Sequence, residues 1–207
     1  MRRDEKNLLS RRKILDSAFE EFGKQGYGLS SVNTICTAGD ISKGILYHYF
    51  KDKDELYLVC IRELFDSLTE HLQNELSNVS GTKEMRLERY FDARLRFFRE
   101  NPLQHKLFCG VIVMPPAHLA QAISEIKADF DALNISVLTD LLQSARLRSD
   151  MTIQSVVETF RLYQDFVNAR YQMEPAGALD LEEHEKICKR SLSILLYGVI
   201  ERDGNER

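Results

Sequence analysis

Nowhere in these 207 residues do 18 apolar residues run together, so no membrane-spanning helix is expected. The opening MRRDEKNLLSRRK is charged and lacks the apolar stretch of a secretory signal, which makes the cytoplasm the expected compartment. Only four prolines and ten glycines interrupt the chain, leaving room for long helices. No repeat, low-complexity tract or strand-like alternation stands out. The Walker phosphate loop, the GxSxG elbow and the dinucleotide GxGxxG are missing, so no catalytic residues and no nucleotide cofactor are expected. CxxC and HExxH are missing too. The four cysteines have no framework spacing, and a cytoplasmic chain keeps them reduced.

What is present is concentrated in residues 30–53, SSVNTICTAGDISKGILYHYFKDK. Val32, Ile35 and Cys36 fall at helical spacing and point to a core. Gly39 sits where a helix would end in the left-handed region, cheap for a residue without Cβ. Ile41 plugs the turn, and Ser42 caps the next helix. Ser42, Lys43, Gly44, Tyr47 and His48 then lie at the start or along one side of that helix, with Ile45, Leu46 and Phe50 left for the inward side and Tyr49 at the margin. Small residues at such an N-terminus allow close approach to a groove, where hydroxyl, ammonium and imidazole groups reach phosphates or base edges. Asp52 and Glu55 predict a capping box for the following helix, and Lys53 at its start adds a charge for phosphate. The layout is that of a DNA-reading helix-turn-helix.

From Gly26-Tyr27 through Ser31, Ile35, Ala38-Gly39, Ile41-Ser42-Lys43-Gly44, Leu46-Tyr47 and Tyr49-Phe50 to Lys53 and Leu56, the run resembles the signature of TetR-family (tetracycline-repressor-like) regulators. It covers about the first quarter of the chain without gaps. One departure stands out: the family usually has His directly before the Phe, and here Tyr49 takes that place with His48 one position earlier. The resemblance implies an all-α homodimer with an N-terminal three-helix DNA-binding domain (1–53) and a helical effector-binding and dimerisation domain (54–207). Operator contacts are expected from Ser31, Ser42, Lys43, Gly44, Tyr47, His48, Tyr49 and Lys53.

Charge is distributed accordingly. The chain carries a net −4, yet residues 1–53 hold ten Lys/Arg against seven Asp/Glu, and residues 54–207 hold 18 against 25. The basic excess therefore lies on the helix-turn-helix. Arg2, Arg3, Arg11, Arg12 and Lys13 form a candidate arm for the DNA backbone or minor groove.

Downstream, the first helix is expected to end at Gly23 to Gly26, and the fourth to run from about Lys53 to Asn78 with two apolar stripes. Asn78–Thr82 reads as a loop and 83–100 as a fifth helix. Asn101-Pro102 opens a sixth. Pro115-Pro116 breaks the chain before a single long helix to about Arg148. Two more follow, one from Asp150 or Thr152 to about Gln172 and one capped by Asp180, with a break at Glu174–Gly177 between them. Val156, Phe160, Tyr163, Val167, Ser191, Leu192, Leu195, Gly198 and Val199 on these two predict a four-helix dimer interface, although the same faces also suit closure of a single chain's core.

Phe65, Tyr90, Phe91, Phe97, Phe98, Phe108, Met114, Phe130 and Phe160, with Arg94, His105 and Gln164, fit an apolar cavity with a few orienting polar groups. A small apolar or amphipathic effector is the expected ligand. His105/Cys109 and His184/Cys188 share helix faces at i, i+4, yet apolar neighbours make them ordinary core pairs, and no metal is expected. His118 is isolated in sequence and is assigned no role. The reading is a DNA-binding transcriptional regulator, a repressor released from a palindromic operator when an effector shifts the fourth helix. The competing readings are a helical small-molecule binding protein with weak or no specific DNA reading, or a metal- or thiol-responsive sensor.

Overall fold

A computed structural model describes residues 3–77, 82–173 and 181–199. The elements are α1 (Arg3–Leu29), α2 (Val32–Ala38), α3 (Lys43–Tyr49), α4 (Lys53–Ser77), α5 (Lys83–Glu100), α6 (Pro102–Val113), a 3-10 turn (Ala117–Leu119), α7 (Ala120–Ile126), α8 (Ala128–Ser144), α9 (Ile153–Met173) and α10 (Leu181–Val199). Among the described residues no single helix is long and apolar enough to cross a membrane.

The chain forms two compact units, residues 1–67 with 101–128, and residues 68–100 with 129–207. Neither unit follows the division at residue 53, and α4 contributes to both. In the first unit Ile14, Leu15, Ala18, Phe19 and Phe22 of α1 meet Ile35 and Cys36 of α2, Leu46 and Phe50 beside α3, and Leu56, Tyr57, Cys60 and Ile61 of α4, all buried. These are the i, i+3, i+4 positions that an amphipathic helix presents to a core. In the second unit Tyr90, Phe91, Phe97, Phe98, Phe130, Leu138, Leu142, Val156, Phe160, Val167 and Leu192 are buried together with Arg94, Asn168, His184 and Glu185.

The regular part of α1 breaks at Gly26, inside the expected Gly23–Gly26 range, where a φ of 67° and ψ of 173° suit a residue without Cβ, and one further helical turn carries it to Leu29. Two local expectations change. The expected flexible arm is drawn into α1 from Arg3 onward. The long helix after Pro116 is divided into the 3-10 turn, α7 and α8, with Lys127 ending α7 at φ −88°, ψ 4°. The start of α9 is fixed by a reciprocal cap: Thr152 N–H donates to Ser155 Oγ and Ser155 N–H to Thr152 Oγ1, both at 3.1 Å. Asn78–Gly81, Glu174–Gly177 and the Asp180 cap lie outside the described residues.

Of the residues named for the dimer interface, Val156, Phe160, Val167 and Leu192 are buried within the chain itself. Ser191 and Leu195 are half-buried and Gly198 is exposed, while the side chain of Val199 lies outside the described residues. Among the described residues, Tyr163 of that set is 44% exposed, and the other open large apolar groups on α9 and α10 are Leu162, Phe166 and Ile194, exposed by 71, 61 and 66%.

Candidate nucleic-acid interface

Each helix of the helix-turn-helix starts on a serine. Ser31 Oγ accepts from Asn33 N–H at 3.2 Å, and Ser42 Oγ accepts from Ile45 N–H at 3.2 Å. Both bonds satisfy donors that a helix start leaves open. Ser31 N–H donates to Glu21 Oε1 at 2.9 Å, tying the start of α2 to α1.

The turn between α2 and α3 is built differently from the sequence expectation. Gly39 is right-handed, with φ −84° and ψ 0°, and Asp40 is the left-handed residue, at φ 49°; Asp tolerates that region better than most side chains. Gly39 is demanded by space. A Cβ there would stand 2.6 Å from Ile41 Cδ1 and 2.6 Å from Ser17 Oγ. Its absence lets α1 approach the turn, and Ile41 N–H closes it onto Cys36 O at 2.9 Å.

α3 is anchored by Leu46, fully buried, and by Phe50 at its C-terminal cap. Ser42, Lys43, Gly44, Tyr47 and His48 are exposed, and Tyr49 is half-buried with its hydroxyl donating to Asn7 Oδ1 at 3.2 Å. The His48 and Tyr49 rings meet edge to face at 5.0 Å. Ile45 is the one residue expected inside that stands 44% exposed. A short helix held by one leucine and one phenylalanine leaves the rest of its surface for a ligand, and α3 offers there a hydroxyl, an ammonium, a phenol and an imidazole. Asn33, Thr37, Asp40, Ser42 and Lys43 line an open groove beside it.

α4 starts on Asp52, whose Oδ1 accepts from Glu55 N–H at 2.8 Å. Glu55 in turn reaches back to Lys51 N–H at 2.6 Å, one residue earlier than a standard capping box.

Lys53 is held inside the unit. Its Nζ donates to Tyr27 O at 2.8 Å and Ser30 O at 3.2 Å, and lies 4.1 Å from the Tyr27 ring centroid. The Tyr27 hydroxyl donates to the Asp54 carboxylate, and His118 Nε2 lies 3.0 Å from Asp54 Oδ2 and 3.4 Å from the Tyr27 oxygen. The Tyr27 bond, then the His118 contact, hold the Asp54 carboxyl below its ordinary value; burial and the same bond push the Tyr27 phenol up to about 12. His118 thus has partners 91 and 64 residues away, which no local pattern announces. Arg12 pairs with Asp16 and Glu63, and Arg11 lies 5.7 Å over the Phe50 ring. Arg2 lies outside the described residues, as does the side chain of Arg3. Lys13 remains exposed.

The residues expected to hold an effector fall into both units. Phe65, His105 and Phe108 are buried in the first, and Met114 is 79% exposed there. Tyr90, Phe91, Arg94, Phe97, Phe98, Phe130 and Phe160 are buried in the second, with Gln164 half-buried. The Arg94 guanidinium lies 5.5 Å from the Phe91 centroid and 5.9 Å from that of Tyr90, whose hydroxyl donates to Asn134. His105 and Cys109 meet at 3.4 Å and His184 and Cys188 at 4.0 Å, as one-turn neighbours. All four cysteines are buried, and burial pushes the Cys36 and Cys60 thiols up and that of Cys188 to about 11.

Residues 14–60 match the family described as bacterial regulatory proteins, tetR family. The fatty acid metabolism regulator protein of Bacillus subtilis is 22% identical over 149 residues, 68% of this chain and 72% of that one. An HTH-type transcriptional repressor of Mycobacterium tuberculosis is 40% identical over 53 residues, 26% of this chain and 28% of its own length. The crystal structure of the regulator FadR from Bacillus subtilis in complex with stearoyl-CoA superposes with a TM-score of 0.72 at 18% identity, covering 91% of this chain and 98% of that one. With its capped reading helix and its all-helical fold, these likenesses make residues 14–60 a helix-turn-helix domain of the kind found in the tetR family of bacterial regulatory proteins, and the chain a DNA-binding regulator of transcription of that type.

Proposed function

We propose that this regulator is a cytoplasmic homodimeric repressor that holds a palindromic operator through α3 and is released by an amphipathic effector with a long apolar body. The observation that carries the reading is the two-sided build of α3: Leu46 is sealed in the core, while Lys43, Gly44, Tyr47 and His48 stand clear of it. Ser42, Lys43, Tyr47 and His48 are assigned to bases and phosphates, and Ser31 to a phosphate. Two such heads are needed because successive major grooves of a palindrome lie one helical turn apart. The exposed row of Leu162, Tyr163, Phe166 and Ile194 is the surface assigned to the second copy, since an apolar patch of that kind on one chain marks an interface.

The effector class is supported by two things. The second unit buries Tyr90, Phe91, Phe97 and Phe98 beside the Arg94–Glu185 pair, a mostly apolar interior with a few polar groups of the kind that orients a ligand. The relatives named above include a fatty acid metabolism regulator and a structure holding stearoyl-CoA. An acyl chain carrying a polar or anionic group is therefore the first candidate. A thiol sensor is disfavoured, because a reactive thiol needs exposure and a lowered pKa, and the buried cysteines have the opposite.

Selection of bound fragments from random duplex DNA tests the first half of the proposal and returns the half-site spacing. A panel of acyl-CoA thioesters and free fatty acids, scored by release of the selected duplex, tests the second. An effector works only through different affinities for the bound and released states. A ligand that binds without altering operator affinity would therefore reject the coupling.

A further inference from the structure

Beyond the break at Gly26, Tyr27 to Leu29 form the last turn of α1, and the carbonyls of a final helical turn need donors from elsewhere. Ser30 Oγ donates to Tyr27 O at 2.7 Å, and Lys53 Nζ reaches both Tyr27 O and Ser30 O. One ammonium group therefore closes the turn that leads directly into Ser31, the cap of α2. The Tyr27 ring carries that ammonium on its face and packs edge-on against Tyr57 at 5.0 Å. Its hydroxyl joins Asp54, in the first turn of α4, and His118, in the 3-10 turn, closes the cluster from the other side.

From this geometry we infer that Lys53 and His118 are positioning residues for operator binding, acting through Tyr27 and Asp54 on the entry to α2 rather than by touching DNA. The inference rests on the first unit being the DNA-reading head. The ammonium of Lys53 is already used as a clamp on two carbonyls, and a phosphate would have to strip it from both. His118 holds Asp54 against Tyr27, and Asp54 in turn holds the ring on which the clamp rests. Loosening either group lets the Tyr27–Ser30 turn drift, and with it the start of α2, against which α3 packs.

The test uses the full-length protein and the duplex returned by selection, with affinity measured from 50 to 300 mM salt. Each phosphate contact contributes about 0.9 to the slope of log affinity against log salt. Removal of a phosphate ligand from both protomers therefore lowers the slope by about 1.8. Lys53→Ala and His118→Ala are expected to weaken binding by about five- to twentyfold with the slope unchanged. His118→Gln, which keeps a donor for Asp54, is expected to restore most of the loss. A slope reduced by about 1.8 in Lys53→Ala would overturn the assignment by placing Lys53 on a phosphate, and unchanged affinity in His118→Ala would remove His118 from it. Should Lys53→Ala unfold, Tyr27→Phe is measured instead; it keeps the ring and frees Asp54, and wild-type affinity in it would equally defeat the proposal. Wild-type protein that selects no duplex at all would reject the DNA-reading assignment itself, a result distinct from any of these.

Discussion

Arg94 Nε donates to Glu185 Oε2 at 2.9 Å, and both side chains are only 3% exposed. Around them lie Asn168 and His184, joined at 3.1 Å, with His184 Nδ1 3.6 Å from Glu185 Oε1. A buried ion pair adds little to stability compared with apolar residues of the same volume, yet removing one partner strands the other charge. Arg94→Met is therefore expected to cost about 3–5 kcal/mol, and the double change Arg94→Met with Glu185→Met to recover most of it. Urea unfolding of the three variants checks this. A double variant no more stable than the single would show that the pair contributes more than mutual neutralisation.

The same pair makes the protein acid-sensitive. Burial by itself would raise the Glu185 carboxyl, but the Arg94 charge outweighs it and holds the group at about 2, against an ordinary value of 4.5. A carboxyl lowered on folding contributes stability that is complete above its unfolded value and is lost as pH falls through the folded one. The thermal midpoint should drop between about pH 4.5 and 2. Glu185→Gln should flatten that part of the curve, and an unchanged acid limb in this variant would contradict the assignment.

Gly39 and Gly26 should respond differently to alanine. At Gly39 the new Cβ meets Ile41 Cδ1 and Ser17 Oγ at 2.6 Å, so Gly39→Ala is an overpacking change worth about 1–3 kcal/mol. It should also disturb the angle of α3 and weaken operator binding. At Gly26 nothing lies within 4 Å of a Cβ and only the positive φ with extended ψ resists, at about 1–3 kcal/mol. Equal loss of DNA affinity in two variants of matched stability would argue against the steric account of Gly39.

Lys43→Ala and Tyr47→Ala should leave unfolding unchanged, because both side chains are exposed. If they reach base edges, each should cost about 1–3 kcal/mol of specific binding and relax the preference at one position of the half-site. Binding to unrelated duplex should change far less for Tyr47→Ala, which alters no charge.

Phe166→Glu places a charge in the exposed row on α9. The expected result is a monomer by sedimentation, still helical by circular dichroism, whose operator affinity falls steeply because one head spans one half-site. A dimer that persists in Phe166→Glu and in Leu162→Glu would move the interface elsewhere.

Local chemistry made much of the DNA-reading head legible. Ser31, Ser42 and Asp52 cap because their side chains reach backbone donors two or three residues on, a relationship written into consecutive positions. The helix at 83–100 follows from periodicity, and α6 starts on Pro102 as expected, although Asn101 makes no side-chain cap bond. The alternation of buried Leu46 with exposed Tyr47 and His48 follows from helical periodicity alone. None of this required knowledge of what packs where.

Only the tertiary structure showed why glycine stands at 39, since one of the two side chains that a Cβ would meet at 2.6 Å, Ser17, lies far away in the chain. It decided that Lys53 turns inward, because the carbonyls it satisfies, those of Tyr27 and Ser30, lie 26 and 23 residues earlier. It gave His118 its partners, and it took Val156, Phe160, Val167 and Leu192 into the chain's own core while leaving Leu162 and Phe166 open. The division has one physical cause: caps and periodicity act within a turn or two of helix, whereas burial and ion pairing depend on residues that the sequence keeps far apart and folding brings together.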